Sequence, residues 1–314
     1  MTDPLLPPGF MIGHWSDPVG LTGCTVIICP PKCVGGCDVR GSSPGSRELA
    51  LLASEKTMQE VHAVLLTGGS AYGLAAADGV MSYLEEHNIG YLTPWARVPI
   101  VPGAVIFDLN IGSKDARPNR ESGYTASGSA RSDNLVQGSV GAGTGATVGK
   151  WGGGETRMMG GLGIATERNG ELVTTAVAVV NAVGDVLDRS GVIVAGARTS
   201  DGRWLASGDP LRSLVRGKPV LQSNTTLVAI LTNAKLSKVE ANRLAQRGHD
   251  GMARAIVPAH TSYDGDIVFG LASGLVEAQF DLVAEMGASA TADAIANGAR
   301  YAASVAGVPA HKPS

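Results

Sequence analysis

The chain has 314 residues, 44% hydrophobic and only 4% aromatic, with a formal net charge of −3. That length can bury a large core, as one big domain or two ordinary ones, and the charge excludes a global positive field recruiting nucleic acid or anionic membrane. The longest apolar run, residues 172–183, is broken by Thr174, Thr175 and Asn181 and falls short of the roughly 20 residues of a membrane-spanning helix, while the prolines and acids of residues 1–18 do not make a secretory signal, so the expectation is a cytoplasmic protein.

After the proline-rich lead, residues 24–29 read as a short strand ended by Pro30-Pro31, and residues 34–40 as a second. Cys24, Cys29, Cys33 and Cys37 lack the paired spacing and accompanying His of a zinc site. Cys24 and Cys29 read as small apolar strand residues and Cys33 and Cys37 as parts of a Pro/Gly-rich turn, with neither metal nor disulfide expected. Residues 49–58 read as a helix with Ser46 as candidate cap. Then comes a strand at 61–66, a turn Thr67-Gly68-Gly69-Ser70, and a helix to His87 whose buried face carries Leu74, Ala77, Met81 and Leu84. The turn looks like a phosphate cradle, but it lacks the Gly-Lys-Ser/Thr ending of a P-loop and the spacing of a dinucleotide fold, and close helix-to-strand packing accounts for its glycines.

Residues 101–109 read as a strand and 111–134 as a polar surface excursion. Residues 138–154 are the most glycine-dense stretch; Val140, Val148, Trp151 and a lone Lys150 set it apart from a flexible linker and suit backbone wrapped closely around a substrate or anion. Strands at 159–166 and 172–180 are joined by an Asn169-Gly170 hairpin signal, and Asn181 stands where the second ends. Residues 188–219 are irregular and polar, the kind of segment exposed to cleavage. They lead into Ser223-Asn224-Thr225-Thr226 and the apolar β-branched run to Thr232, a buried strand. Ser237 and Glu240 form a capping box for a helix to about Ala255. A polar loop, 258–266, precedes a strand at 267–272, and an alanine-rich helix spans about 288–305. Strands and helices mixed without strict alternation argue for a layered α+β fold.

Thr225 carries the chemical interest. Were the backbone cut between Asn224 and Thr225, this residue would hold both a hydroxyl and a free α-amine, the pairing that lets an N-terminal threonine act as nucleophile and base at once. On propensity alone Thr225 and Thr226 are ordinary strand residues.

The opening Val19-Gly20-Leu21-Thr22-Gly23-Cys24-Thr25-Val26, Asp38-Val39-Arg40-Gly41 with Pro44-Gly45-Ser46-Arg47-Glu48, and Thr67-Gly68-Gly69-Ser70-Ala71-Tyr72-Gly73-Leu74 carry a family pattern. So do Gly141-Ala142-Gly143-Thr144-Gly145-Ala146 with Lys150, Asn224-Thr225-Thr226, His249-Asp250-Gly251-Met252-Ala253-Arg254, and His260-Thr261 with Asp264-Gly265-Asp266. Over nearly its whole length the chain resembles the DmpA-type aminopeptidases, N-terminal-nucleophile hydrolases that include β-peptidyl aminopeptidases and 6-aminohexanoate (nylon) oligomer hydrolases. It looks closest to the last, whose nucleophilic Thr also follows Asn and precedes Thr. The resemblance implies a four-layer αββα sandwich, one domain over 1–314, self-cleaved into chains 1–224 and 225–314 that assemble into a homo-oligomer, commonly a tetramer of such pairs. It implies a catalytic group of Thr225, Lys150, Asn181, Asp264 and Asp266, no cofactor, and a small peptide or amide-oligomer substrate. Where some members carry a tyrosine, this chain has Phe107.

Within that frame Thr225 attacks the Asn224 carbonyl, and its freed α-amine then serves as base near neutral pH. Asp264 and Asp266, two residues apart at a strand entrance, fix the amine, the hydroxyl or Lys150. Lys150 sets the local field and helps orient the hydroxyl, and Asn181 donates to the oxyanion. His249 is read as packing or bonding a backbone carbonyl, and His260, closer to the acidic pair, is only a candidate for supporting it. The competing readings are an acyltransferase of the ornithine acetyltransferase type, with the same self-generated threonine, and a metal or anion binder built on the cysteines and glycine loops.

Overall fold

The computed structural model describes residues 4–205 and 224–311. Two five-stranded sheets lie face to face. In the first, β1 (Met11–Asp17), β2 (Thr22–Ile28), β4 (Ser46–Arg47), β5 (Ala63–Thr67) and β6 (Gly103–Val105) run in the order β1-β2-β5-β6-β4. In the second, β3 (Val34–Val39), β7 (Gly161–Asn169), β8 (Leu172–Asn181), β9 (Thr225–Ala234) and β10 (Ile267–Val276) run β7-β8-β9-β10-β3. Read along those orders, both sheets pair antiparallel, antiparallel, parallel, antiparallel. In each, a helix bridges the parallel pair: α1 (Ala76–Glu86) between β5 and β6, and α3 (Lys238–Ala255) between β9 and β10. The helices α2 (Arg120–Gly128) and α4 (Phe280–Arg300) complete the two outer layers.

Side-chain alternation builds the layers. From β9, Leu227, Ala229 and Leu231 enter the core between the sheets with Ile27, Val64, Leu66, Val177 and Phe269. Val228 and Ile230 point the other way, against Leu244, Met252, Val283 and Ile295 of α3 and α4. Cys24, Val26 and Leu65 pack against Val80, Leu84 and Ala126 of α1 and α2. The order helix, sheet, sheet, helix is the expected αββα sandwich. Glycine allows its close approaches: a Cβ on Gly163 of β7 would lie 2.0 Å from Ala294 O of α4.

Several local expectations are corrected. Residues 111–134 contain α2, whose cap is a reciprocal Asn119 and Ser122 box; Ser rather than Glu or Gln at the third helical position hid it. The helix at 49–58 is one 3-10 turn, Leu49–Leu52, and Ser46 pairs in β4 instead of capping. The strand at 101–109 shrinks to Gly103–Val105. Helix α4 starts at Phe280, eight residues before the expected 288, because Phe280 and Val283 pack on the core and extend the buried face. Strand β1, whose Ile12 is buried between the sheets, was not anticipated in the proline-rich lead. Cys37 belongs to β3 and not to a turn; all four cysteines are free, and burial pushes the Cys24 thiol up to about 12. Of the polar segment 188–219, residues 193–195 form a short strand beside Asp185–Leu187, and 206–219, with Ser223, lie outside the described residues.

Candidate active site

The sheet register brings the predicted residues together. Thr225 opens β9 in the middle of the second sheet, and Asn181, the last residue of β8, is its cross-strand partner. Because β9 and β10 are parallel, the loop entering β10 runs beside the start of β9, and Asn224 bridges Asp264. Lys150 arrives from the glycine-rich stretch, pinned by main-chain bonds from Gly149 to Gly184 O (3.0 Å) and from Lys150 to Val183 O (2.8 Å). Thr225, Lys150, Asn181, Asp264 and Asp266 are all buried, the most exposed at 4%.

The Asn224 carbonyl oxygen receives the Thr225 hydroxyl at 2.5 Å and the Gly265 N–H at 2.9 Å. Gly265 is pressed so closely here that a Cβ on it would lie 2.8 Å from Thr225 Oγ1. The flanking carboxylates are fully engaged. Asp266 Oδ1 accepts from Thr226 N (2.7 Å), and its Oδ2 accepts from His260 N (3.2 Å) and Nδ1 (2.8 Å). Asp264 Oδ2 accepts from Thr261 N (3.0 Å) and Oγ1 (2.5 Å), and its Oδ1 accepts from Val183 N (3.3 Å).

Lys150 Nζ donates to Asn181 Oδ1 (2.9 Å) and Asn181 O (3.2 Å). Asn181 Oδ1 also accepts from Thr147 N (3.0 Å), and Asn181 Nδ2 donates to Phe107 O (3.2 Å). The group on the Asn224 carbonyl is the main-chain N–H of Gly265, while the Asn181 amide holds the Phe107 loop. The Lys150 ammonium bonds Asn181, and the Thr225 hydroxyl bonds Asn224. Gly265 carries no side chain to mark it in the sequence; only its place between two acids hinted at a role.

Electrostatics set this cluster near a protonation balance. Burial pushes Lys150 down to about 7, against the pull of Asp264. Burial, then the neighbouring Asp266, push Asp264 up to about 6, against the hydrogen bonds from Thr261 and Val183. Burial also raises Asp108, which accepts from Thr22 Oγ1 (2.6 Å) and Gly69 N (2.7 Å). The turn that resembles a phosphate cradle thus aims an amide at the protein's own carboxylate. Among the described residues no group of three or more His, Cys, Asp or Glu is arranged to hold a metal, and no helix is long and apolar enough to cross a membrane. His249 Nε2 donates to Asp38 O (3.1 Å), as expected of a residue bonding a backbone carbonyl.

Solved structures share the architecture. A Burkholderia sp. beta-aminopeptidase superposes with a TM-score of 0.72 at 20% identity, covering 99% of this chain and 91% of that one. The l-aminopeptidase D-Ala-esterase/amidase of Ochrobactrum anthropi, described as a variant of the Ntn hydrolase fold, gives 0.72 at 14% identity, covering 96% and 88%. The class is therefore an Ntn hydrolase-like α+β fold. Within it, the chain belongs to peptidase family S58, whose model matches residues 8–312, and is a hydrolase of peptide or amide bonds. It is 41% identical to an uncharacterized aminopeptidase of Mycobacterium leprae (strain TN), over 96% of this chain and 91% of the relative. It is 35% identical to a 6-aminohexanoate-oligomer endohydrolase of Agromyces sp. (strain KY5R), over 86% of this chain and 74% of the relative.

Proposed function

We propose that this S58 hydrolase cleaves itself between Asn224 and Thr225 and then hydrolyses short peptides or amide oligomers through an ester on Thr225. The observation that carries the reading is the Thr225 hydroxyl lying 2.5 Å from the Asn224 carbonyl oxygen, with the Gly265 N–H on that same oxygen. In maturation the Oγ–carbonyl bond forms, the peptide C–N bond breaks, and the hydroxyl proton ends on the departing nitrogen, which becomes the α-amine. Water then opens the ester, leaving a carboxylate on Asn224. In turnover the α-amine takes the hydroxyl proton as Oγ attacks the substrate amide and passes it to the leaving amine; water releases the acid.

The uncut Asn224 carbonyl stands where a substrate carbonyl would stand, so Gly265 N–H serves as oxyanion donor in both reactions. Removing one such donor costs about 10²–10³ in rate in other acyl-transfer sites. Lys150, with its ammonium held near neutrality by burial, biases Thr225 toward the neutral amine, and Asp264 and Asp266 hold the loop that carries Gly265. The names of the M. leprae and Agromyces relatives support peptide or amide-oligomer substrates, and a homo-oligomer of cleaved pairs is the expected assembly.

Denaturing electrophoresis with N-terminal sequencing tests this directly. The wild type is expected as fragments 1–224 and 225–314, Thr225→Ala as one inactive chain, and Thr225→Ser, which keeps the hydroxyl, as cleaved and active at a lower rate. A panel of aminoacyl anilides, β-peptides and 6-aminohexanoate oligomers, with water as sole acceptor, then separates hydrolysis from acyl transfer and identifies the substrate. Full activity from uncut Thr225→Ala would overturn the reading.

A further inference from the structure

His260 lies outside the catalytic group described above, yet its side chain meets that group directly. Its ring Nδ1 is 2.8 Å from Asp266 Oδ2, and its own main-chain N–H donates to the same oxygen at 3.2 Å. The opposite oxygen of that carboxylate accepts the N–H of Thr226, the residue after the nucleophile, at 2.7 Å. A continuous link thus runs from His260 through Asp266 to the second residue of β9. His260 adopts a left-handed conformation with φ of 54°, a region where Asn, Asp and His are enriched among residues with a side chain. That geometry turns the loop back so that the ring reaches an acid six positions later.

The ring has a fixed surround. His249 of α3 packs edge-on against it, with centroids 4.7 Å apart. His249 is itself anchored by Nε2 to Asp38 O, and burial lowers it to about 4, so it stands neutral. The remaining nitrogen of each ring, His249 Nδ1 and His260 Nε2, is buried without a hydrogen-bond partner. A carboxylate only accepts, so Nδ1 of His260 must carry the hydrogen.

We infer that His260 is a positioning residue: with its Nδ1–H on the carboxylate and its ring clamped by His249, it orients Asp266 and through Thr226 sets where Thr225 sits. This rests on the assignment of Thr225 as nucleophile and deepens it. A displacement near 1 Å at a reacting group costs on the order of 10²-fold in rate.

The test pairs two substitutions. His260→Leu keeps bulk but removes the donor and strains the left-handed backbone, so His260→Gly, which lacks the donor and adopts that backbone freely, is the control; His260→Asn tolerates the backbone and places an amide N–H close to the Nδ1 position. With the cleaved wild type as reference, His260→Leu is expected to lower kcat by about 10- to 100-fold with KM changed less than about threefold, and to slow self-cleavage alike. His260→Asn is expected to recover most of both rates. Equal rates in His260→Asn and His260→Leu, a wild-type rate in His260→Leu, or a His260→Gly control as fast as His260→Asn, would overturn the inference. If neither variant folds, the ¹⁵N spectrum of histidine-labelled wild type decides: a protonated Nδ1 at His260 supports it, and a bare Nδ1 refutes it. Active, uncut Thr225→Ala would instead strike at the parent reading, whereas an inert Thr225→Ala with an unimpaired His260→Leu removes this inference alone.

Discussion

Lys150 shows what a single buried residue imposes on the rest of the site. A free lysine titrates at 10.5, and burial brings this one down to about 7. Between those values the unfolded chain binds a proton that the folded chain does not, so stability rises with pH through that window. Asp264 works in the opposite sense: between 3.8 and about 6 the folded chain keeps a proton the unfolded chain has lost, and stability falls as pH rises. Together these two groups place their least favourable contribution between about pH 6 and 7. In a Thr225→Ala background, expected to stay in one piece, Lys150→Met should flatten the rise in Tm between pH 7 and 10; an unchanged slope would show that the lysine titrates elsewhere. Lys150 stood out in the sequence because it is the lone charge among small residues. Its partner Asn181 was equally visible as a strand end, but the direction of its amide, toward Phe107, depends on a loop 74 residues away in sequence and has no local signal.

Elements with a local code were the easiest to find. The Ser237–Glu240 box opens α3 where expected, with Ser237 Oγ accepting from Glu240 N at 3.3 Å, and the Asn169-Gly170 turn joins β7 to β8. Helix α2 escaped because Asn119 and Ser122, though they cap it reciprocally, read as turn residues in a polar stretch. Asn119→Ala should cost about 1 kcal/mol, measurable as a lower urea midpoint with unchanged hydrolysis, since α2 lies in the outer layer opposite the second sheet. The loop into β10 behaves differently, because its geometry is set by what it touches. Gly265→Ala would retain the N–H but drive a Cβ to 2.6 Å from Ser43 O and 2.8 Å from Thr225 Oγ1. Self-cleavage should slow by more than about tenfold, while the far-ultraviolet circular dichroism stays that of the wild type. A normally processed Gly265→Ala would mean that the loop has slack enough to admit a Cβ beside Thr225 Oγ1 while its N–H stays on the carbonyl.

For the whole molecule, the proposed cut falls at the entrance of a central strand, and that location decides what cleavage can do. Strand β9 lies between β8 and β10, and β10 in turn pairs with β3, so the segment from 225 onward is hydrogen-bonded to the earlier part of the chain on both sides. Within β9, Leu227, Val228, Ile230 and Leu231 are fully buried; at roughly 1.5–3 kcal/mol for each large apolar side chain, they alone hold the strand by something on the order of 10 kcal/mol. Helix α4 adds its packing against β7 and β8, and α3 its packing against β3. Breaking one peptide bond removes none of these contacts. Its effect is to release a chain end inside a sheet that stays assembled, so that the new amine and the Thr225 hydroxyl are held in place by strand register. The two fragments should therefore elute as one species on native size exclusion and separate only in denaturant. They should also unfold in a single transition, because both contribute strands to the second sheet. Fragments that part under native conditions while activity persists in the smaller one would show that this shared sheet is not what positions the nucleophile.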